Sequence, residues 1–494
     1  MSDSGETQST RSLRPGPGAR ILLASNRGPV SFALGRDGEL TAKRGGGGLV
    51  SGLSSIDAEP GEAVWVCAAL GAGDRAAARR SPGGRLDRSG LFTGPGAAVR
   101  MLDIEEPVFH AAYNGVANST LWFVQHMLYS TPLSPAFGPA FDREWDAFRA
   151  YNRAFAEALA DEAAPGALVL IQDYHLCLAP ALLRRLRPDL RIGHFSHTPW
   201  APPDYFRLLP DAVAAELLEG MLGADRTCFL THRWAEAFAD CCEAVLGRRP
   251  GTDRVGVHSL GVDAPSLIDR AAQPDVAERE RELRAAVGED RQVLVRVDRT
   301  ELSKNIVRGL EAYAQLLRTR PQWRGRVVHI AFAYPSRTDL AEYRDYTAAV
   351  QRLAKEIEDE FTSPELPGWR PLIVHVEDDF ARSLAAYRMA DVAVVNPIRD
   401  GMNLVAKEIP IIAQAAGGAC ALVLSREAGA HAELGADAFT VNPFDVTATA
   451  EAMHEALSQK PAERAERCGR LAAQGAALPP QLWFSAQLGA LETL

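Results

Sequence analysis

The 494-residue sequence has only seven cysteines, and no two of them are in Cys-x-x-Cys spacing. Zinc sites usually show that spacing, and disulfide-rich domains carry even numbers of cysteines at short intervals, so neither kind of site is predicted. An odd number of scattered cysteines is typical of a reducing compartment. We therefore expect a cytoplasmic protein without structural disulfides.

The sequence also lacks a net positive charge and long apolar runs. Lysine and arginine number 53 against 63 aspartate and glutamate residues, a net charge of −10, whereas a nucleic-acid-binding protein needs a basic face. No stretch is long and apolar enough to cross a membrane, so no membrane partner is expected. Residues 1–19 are polar and broken by prolines. We expect a disordered tail there and not a signal peptide.

What the sequence has is a regular alternation of two patterns. Short β-branched runs alternate with longer segments of helical length, which is typical of parallel sheets with crossover helices. Strands are predicted at residues 21–25, 63–68, 168–172, 192–196, 227–230, 293–297, 327–333, 372–376, 392–396 and 421–425. The alternation weakens between residues 262 and 291. We predict an α/β fold of two doubly wound, Rossmann-like domains, residues 20–262 and 263–479.

Polar residues follow several of these strands. Ligands of open parallel sheets bind beyond the carboxyl ends of the strands, and charged or imidazole side chains stand at six such ends. They are Arg27, Asp173, His197, Arg299, Lys304, Arg337, Asp400 and Glu408. Each alone also fits a structural role, such as a helix cap or a buried histidine. Four cations facing one cleft of an acidic protein nevertheless indicate a ligand with several negative charges.

Two loops offer bare backbone to such a ligand. RGGGGLVSGL, from Arg44 to Leu53, has four consecutive glycines that can close on a phosphate, although a flexible surface loop is the alternative. It is neither a Walker A loop nor a dinucleotide fingerprint. In RDGMNLVAKE, a helix is predicted to begin near Asn403, so the N–H groups of Asn403 and Leu404 can bind a phosphate. Glu408 can bridge ribose hydroxyls or merely complement the helix dipole.

The motifs SNRGPV, GGLVSG, YNGVANSTLW, QDYHL, HTPW, RTELSK, PSR and RDGMNLVAKE occur in that order. With them the chain resembles the trehalose-6-phosphate synthases, retaining glycosyltransferases of the GT-B type, from about Arg20 to its C-terminus. The resemblance implies two Rossmann-like domains facing each other across a cleft, with the C-terminal helix, residues 480–493, packed on the first. It implies glucose transfer from a nucleoside-diphosphate glucose to glucose 6-phosphate, by a homo-oligomer (dimer or tetramer) that needs no metal or cofactor.

The resemblance also assigns roles to individual positions. Donor-side roles are implied for Gly47, Gly48, His197, Arg299, Lys304, Asp400, Asn403, Leu404 and Glu408. Acceptor-side roles are implied for Arg27 and Arg337 at the phosphate and for Tyr113, Trp122 and Asp173 around the sugar. Arg299 and Lys304 would stabilise the negative charge of the departing phosphate. No well-placed carboxylate nucleophile is evident, so we expect front-face attack with that phosphate as the base.

The chain departs from the family at several positions. Where the family has Arg-x-Asp-x-Ser-Lys-Gly, this sequence has Glu301, Leu302 and Asn305 in place of the Asp, an aromatic residue and the Gly, which puts the loop geometry in doubt. TCFLTHRW, residues 227–234, replaces the usual Gly-Phe-x-Thr pattern. Asp378 occupies a position often filled by an aromatic or apolar residue near the donor base.

Asp378 bears on the choice of donor. An ionised carboxylate accepts hydrogen bonds, and guanine presents two adjacent donors where uracil presents one N–H between two oxygens. This favours GDP-glucose over UDP-glucose, although a solvated loop acid or a helix cap is the alternative. Two other functions stay open: a pseudo-glycosyltransferase joining a cyclitol to a sugar phosphate, and a catalytically silent, sugar-phosphate-sensing regulatory homologue.

Overall fold

Two parallel sheets organise the chain, and buried strands form the centre of each. The computed structural model describes residues 18–45, 62–92 and 97–493. The first sheet has seven strands in the order β5-β4-β1-β6-β7-β8-β9, and β2 and β3 form a separate antiparallel pair. These strands are β1 (Ala19–Ser25), β2 (Val30–Leu34), β3 (Leu40–Arg44), β4 (Ala63–Ala68), β5 (Ala98–Leu102), β6 (Ala163–Gln172), β7 (Arg191–Ser196), β8 (Arg226–Phe229) and β9 (Val255–Val257).

The second sheet has six strands in the order β12-β11-β10-β13-β14-β15. They are β10 (Gln292–Arg299), β11 (Val327–Tyr334), β12 (Leu372–His375), β13 (Val392–Val395), β14 (Ala421–Ser425) and β15 (Phe439–Val441). In both sheets the strand order reverses beside the first strand, between β1 and β6 and between β10 and β13. Ligands of such sheets bind at this point, beyond the carboxyl ends of the strands.

Helices connect the strands of each sheet. With the first sheet are α1 (Ala72–Arg80), α2 (Glu106–His110), α3 (Trp122–His126), α4 (Pro139–Glu162), α5 (Ala179–Leu186), α6 (Pro203–Phe206), α7 (Asp211–Leu222) and α8 (His232–Leu246). Between and around the second sheet are α9 (Ala264–Ala271), α10 (Pro274–Val287), α11 (Ile306–Thr319), α12 (Ala341–Phe361), α13 (Phe380–Met389), α14 (Val405–Ala415), α15 (His431–Leu434), α16 (Val446–Ser458) and α17 (Pro461–Ala476). Short 3₁₀ turns lie at Pro82–Gly84, Leu86–Ser89, Tyr174–Leu176, Leu302–Lys304 and Pro321–Trp323.

Side-chain caps explain where some helices begin. The Thr231 hydroxyl accepts from the N–H of Trp234 at the start of α8, and the Asp379 carboxylate accepts from that of Arg382 at the start of α13. Each satisfies a donor that would otherwise lack an intrahelical partner. The segment Ala111–Leu121, between α2 and α3, is a π-helix. π-helical segments are rare in proteins, and those that occur are often found at functional sites.

The last helix, α18 (Pro480–Glu492), returns to the first sheet. It packs on β6 and β7, where Arg191 Nη1 donates to the Glu492 carbonyl at 2.9 Å. The two segments of chain that pass between the domains are hydrogen-bonded to each other. The Gly261 N–H donates to the Leu478 carbonyl at 2.7 Å, and the Val262 N–H donates to the Gly475 carbonyl at 3.1 Å. We call the parts carrying the first and second sheets the N-terminal and C-terminal domains. The boundaries at residues 262 and 479 stay a prediction.

All ten predicted strands are present, nine of them within two residues at either end, whereas β6 begins at Ala163, five residues before its predicted start. The fold class, α/β with two Rossmann-like domains facing each other, is confirmed. Five strands were not predicted: β2, β3, β5, β9 and β15. Strand β1 begins at Ala19, inside the predicted tail, and the rest of that tail, residues 1–17, lies outside the described residues. Among the described helices, none is long and apolar enough to pass through a membrane.

Candidate active site

The ends of β10 and β13 bring a lysine and an aspartate together at the switch point of the second sheet. Lys304 Nζ lies 2.5 Å from Asp400 Oδ2, and the Asn403 side-chain amide donates to the same oxygen at 3.1 Å. Burial alone would lower the pKa of Lys304, but the carboxylates of Asp400, Asp298 and Glu301 outweigh it and raise that pKa. The lysine is therefore held charged.

A fully buried arginine in β10 supports this lysine. Arg296 Nη2 donates to the backbone carbonyl of Lys304 at 3.0 Å and to Asp298 Oδ2 at 2.7 Å, and its side chain has no exposed surface. Arg296 was not predicted as a site residue, because an arginine within an apolar strand has no distinctive local signal. It fixes the loop that carries Lys304.

Glu301 gathers two of the predicted cations. Its carboxylate has no exposed surface and lies 3.1 Å from Arg299 Nη1 and 3.7 Å from Arg337 Nη1. Burial would raise its pKa, yet Arg299, Arg337 and Lys304 bring it down to about 2. The longer side chain at this departure from the family pattern thus carries a fixed negative charge that orients both arginines.

Asn305, the third departure, adopts a left-handed backbone conformation with φ of 56°. Glycine accepts this conformation most readily, and asparagine is one of the few other residues that does so. Its side-chain amide donates to the carbonyls of Asn396 at 3.0 Å and Pro443 at 2.7 Å. The loop therefore has a turn with a positive φ at this position, and asparagine fills it in place of glycine.

Arg337 joins the two domains. It lies in the loop between β11 and α12 with φ of 46°, and its guanidinium carbon stands 4.0 Å from the centre of the Trp122 ring. Its Nη1 donates to the Tyr343 hydroxyl at 2.5 Å and its Nη2 to the Tyr174 hydroxyl at 3.3 Å. Trp122 and Tyr174 belong to the N-terminal domain, so this cation spans the cleft.

Arg27 lies just beyond β1 and is exposed. Its charge acts on His175, whose pKa falls to about 3 through burial first and then through Arg337 and Arg27. Tyr113, in the π-helix, stacks on the His175 ring with 5.6 Å between centroids. Tyr113 therefore contacts an imidazole that is kept neutral by burial and by the charges of Arg337 and Arg27. No role was predicted for His175.

Asp173 and His197 follow neighbouring strands, β6 and β7, and are bonded to each other. The His197 N–H donates to Asp173 Oδ1 at 3.1 Å, and Asp173 has φ of 74°. Burial raises the pKa of Asp173 to about 6, although hydrogen bonds from backbone N–H groups and the charge of Arg337 act to lower it. Burial also lowers the pKa of His197 to about 3. The His197 Nε2 lies 2.9 Å from the Gln172 Oε1.

The helix predicted near Asn403 begins two residues later, at Val405. Asn403 has φ of 73° and so stands outside the helix, which corrects that prediction. Leu404 is the cap residue, and its carbonyl accepts from the Glu408 N–H at 2.8 Å. The N–H groups of Asn403 and Leu404 still precede the first intrahelical hydrogen bond.

Glu408 lies in the first turn of α14 beside a pocket of about 280 Å³ that Leu404, Phe380 and Arg270 help to line. The Tyr387 hydroxyl donates to Glu408 Oε2 at 3.3 Å. Burial raises the pKa of Glu408 to about 7 despite this bond. The carboxyl group therefore changes charge near neutral pH.

Asp378 is exposed in the loop between β12 and α13. The helix cap considered for this loop is the neighbouring Asp379. The Tyr334 pKa rises to about 12, mainly through burial and in part through the charge of Asp378, so the two side chains are near each other. Asp378 is thus free of the capping role. The predicted phosphate-binding Gly47 and Gly48 lie outside the described residues.

The comparisons with known proteins agree on one family. Residues 19–493 match glycosyltransferase family 20. A trehalose-6-phosphate synthase of Mycobacterium sp. (strain JLS) is 34% identical over 492 residues, covering 95% of this chain and 96% of the relative. A bifunctional trehalose-6-phosphate synthase/phosphatase of Thermoproteus tenax is 34% identical, and the match covers 91% of this chain but only 60% of that protein's length.

A solved structure from E. coli, described as bound with UDP-2-fluoro glucose, superposes with a TM-score of 0.81 at 26% identity. The superposition covers 96% of this chain and 99% of the other. The similarity therefore extends over both domains.

Proposed function

Because the chain belongs to glycosyltransferase family 20, we propose that it moves glucose from a nucleoside-diphosphate glucose to glucose 6-phosphate, giving trehalose 6-phosphate. The observation that carries the proposal is the pair of cationic groups at the cleft. The first group contains Lys304, which is bonded to Asp400. The second contains Arg337, which lies against an aromatic ring of the N-terminal domain. A diphosphate donor and a phosphorylated acceptor need two such groups.

The donor diphosphate is assigned to Arg299 and Lys304, with backbone N–H groups from Asn403 and Leu404. Arg299 supports this role because its side chain is 57% exposed although one of its nitrogens is paired with Glu301. Lys304 is 15% exposed and held charged, so it presents a fixed cation. Glycines 47 and 48 are proposed to close over the same diphosphate.

The acceptor phosphate is assigned to Arg27 and Arg337, and the acceptor sugar to Tyr113, Trp122 and Asp173. The support is their common surroundings: the two arginines both act on His175, Tyr113 stacks on it, and Trp122 lies against Arg337. Asp400 and His197 are assigned to the transferred glucose, and Glu408 to the ribose.

The reaction is proposed to proceed with retention of configuration. The acceptor hydroxyl attacks the anomeric carbon as the bond to the β-phosphate oxygen breaks, and the hydroxyl proton passes to that oxygen. Arg299 and Lys304 stabilise the negative charge that develops there. His197, neutral and with Nε2 bonded to Gln172, can serve the sugar as a polar contact without competing for the proton.

For the donor base, two observations point in different directions. The E. coli structure is described with a UDP sugar. Asp378, exposed near Tyr334 and not used as a cap, can pair with the adjacent N–H groups of guanine. We expect GDP-glucose to be preferred over UDP-glucose.

The experiment is release of nucleoside diphosphate from GDP-glucose and from UDP-glucose at equal concentrations, with and without glucose 6-phosphate. Release that requires glucose 6-phosphate supports the synthase. A requirement for a cyclitol donor would support the pseudo-glycosyltransferase. No turnover at all would support the silent regulatory homologue. The GDP preference should disappear in Asp378→Ala, and a preference that survives this change would refute the role of Asp378. Oligomeric state and compartment stay predictions.

A further inference from the structure

Arg399 precedes Asp400 and has no role in the proposed chemistry, yet it reaches across the gap between the domains. It is 7% exposed, and its Nη2 donates to the backbone carbonyl of Trp200 at 2.8 Å. Its guanidinium carbon lies 4.6 Å from the centre of the Trp234 ring. Both tryptophans belong to the N-terminal domain. Arg399 therefore contacts the loop that begins with His197.

Trp234 makes the reciprocal contact on the other side of Asp400. Its indole Nε1 donates to the Gly401 carbonyl at 2.9 Å, and the side chain is almost fully buried. Gly401 itself packs directly on the backbone of His197, since a Cβ built on it would stand 1.9 Å from the His197 carbonyl oxygen. The residues before and after Asp400 are thus both bonded to the N-terminal domain.

Arg399 is buried but only partly paired with opposite charge. Its pKa falls to about 10 through burial and through Arg233, while Glu427 raises it. Glu427 Oε2 accepts from Arg233 Nη2 at 2.6 Å but lies 3.9 Å from Arg399 Nη1, and the Arg399 Nε has no hydrogen-bond partner among the described residues. A buried, incompletely paired arginine usually stabilises the folded protein less than an apolar residue of similar volume would.

We propose that Arg399 is a positioning residue. By binding Trp200 and Trp234 it holds the Asp400 loop against the His197 loop, so that the side chains contributed by the two domains meet in one geometry. The turnover part of its test rests on the proposed function.

A double-mutant cycle between Arg399→Lys and Trp234→Phe tests this directly. Lysine keeps the charge but loses the planar fork, and phenylalanine keeps a ring but loses the indole donor to Gly401. Each change should lower kcat about tenfold or more, with KM for glucose 6-phosphate changed less than about threefold. The two changes remove different bonds, but both loosen the same approach of the Asp400 loop to the His197 loop, so the loss of kcat in the double variant should be smaller than the product of the two single losses.

Arg426→Ala is the matched control. Its side chain is 56% exposed and lies 3.8 Å from Glu427, at the edge of the same group of charges. Combined with Trp234→Phe, it should change kcat by no more than Trp234→Phe alone. Effects of Arg399→Lys and Trp234→Phe that multiply fully, or that appear in KM instead of kcat, would overturn the proposal.

Hydrogen exchange of the ligand-free variants is independent of the reaction. In Arg399→Lys, amides of residues 197–201 and 399–403 should exchange faster than in wild type, and in Arg426→Ala they should not. Unchanged exchange in Arg399→Lys would also overturn the proposal. If the wild type releases no nucleoside diphosphate but exchange changes as expected, the proposed function fails and the positioning contact stands.

Discussion

Replacing Gly401 by alanine should separate the two halves of the active site without unfolding either. The added Cβ would stand 1.9 Å from the His197 carbonyl oxygen, whereas ordinary van der Waals contact begins near 3.4 Å. The obstacle is backbone, which cannot rotate away as a side chain can, so the two loops must move apart by about 1.5 Å, the difference between these distances. Misplacement of about 1 Å can cost about 100-fold in rate.

We therefore expect Gly401→Ala to lower kcat at least about 100-fold. The assay is nucleoside diphosphate release at saturating donor and glucose 6-phosphate, with circular dichroism to verify folding. Gly489→Ala, in α18, is the control, because a Cβ there meets no atom of the described part of the chain within 4 Å. A folded Gly401→Ala variant with a rate within about threefold of wild type would refute the reasoning.

Three further predictions concern charge. Arg299→Ala and Lys304→Ala should each lower turnover about 100-fold or more with little change in acceptor binding, since their charges act on the departing phosphate; near-normal steady-state turnover would contradict this. Arg27→Ala or Arg337→Ala should weaken glucose 6-phosphate binding by about 1.5–3 kcal/mol. Each should therefore reduce the ratio of kcat/KM for glucose 6-phosphate to kcat/KM for glucose. An unchanged ratio in both variants would show that the acceptor phosphate binds elsewhere. Because burial raises the pKa of Glu408 to about 7, its carboxylate is lost as pH falls through 7, so donor kcat/KM should fall in step; a profile that Glu408→Gln leaves unchanged would exclude Glu408 as the titrating group.

Sequence patterns predicted those parts of the fold that depend on buried, β-branched runs. Strand β4, for instance, is buried at every position and was predicted with its observed ends. The hairpin of β2 and β3 was missed because it has exposed positions and lies beside the glycine run, where a loop is the simpler interpretation. Strands β9 and β15 have only three residues each, too few to show a period.

The candidate site was predictable where parallel topology alone brings side chains together. Lys304 and Asp400 follow β10 and β13, neighbours in the sheet, so their contact follows from the strand order. The contact between Arg399 and Trp234 could not be predicted in this way. It depends on how the two domains are placed relative to each other, and no local pattern in the sequence reports that placement.

The most direct test of the central claim is the structure of the product. Incubation with a nucleoside-diphosphate glucose and glucose 6-phosphate, followed by NMR of the purified sugar, reports both anomeric configurations and the phosphate. We predict one 1,1-linked disaccharide with both anomeric centres α and the phosphate still present. Free glucose with nucleoside diphosphate, or a β-configured linkage, would contradict the proposed retaining transfer.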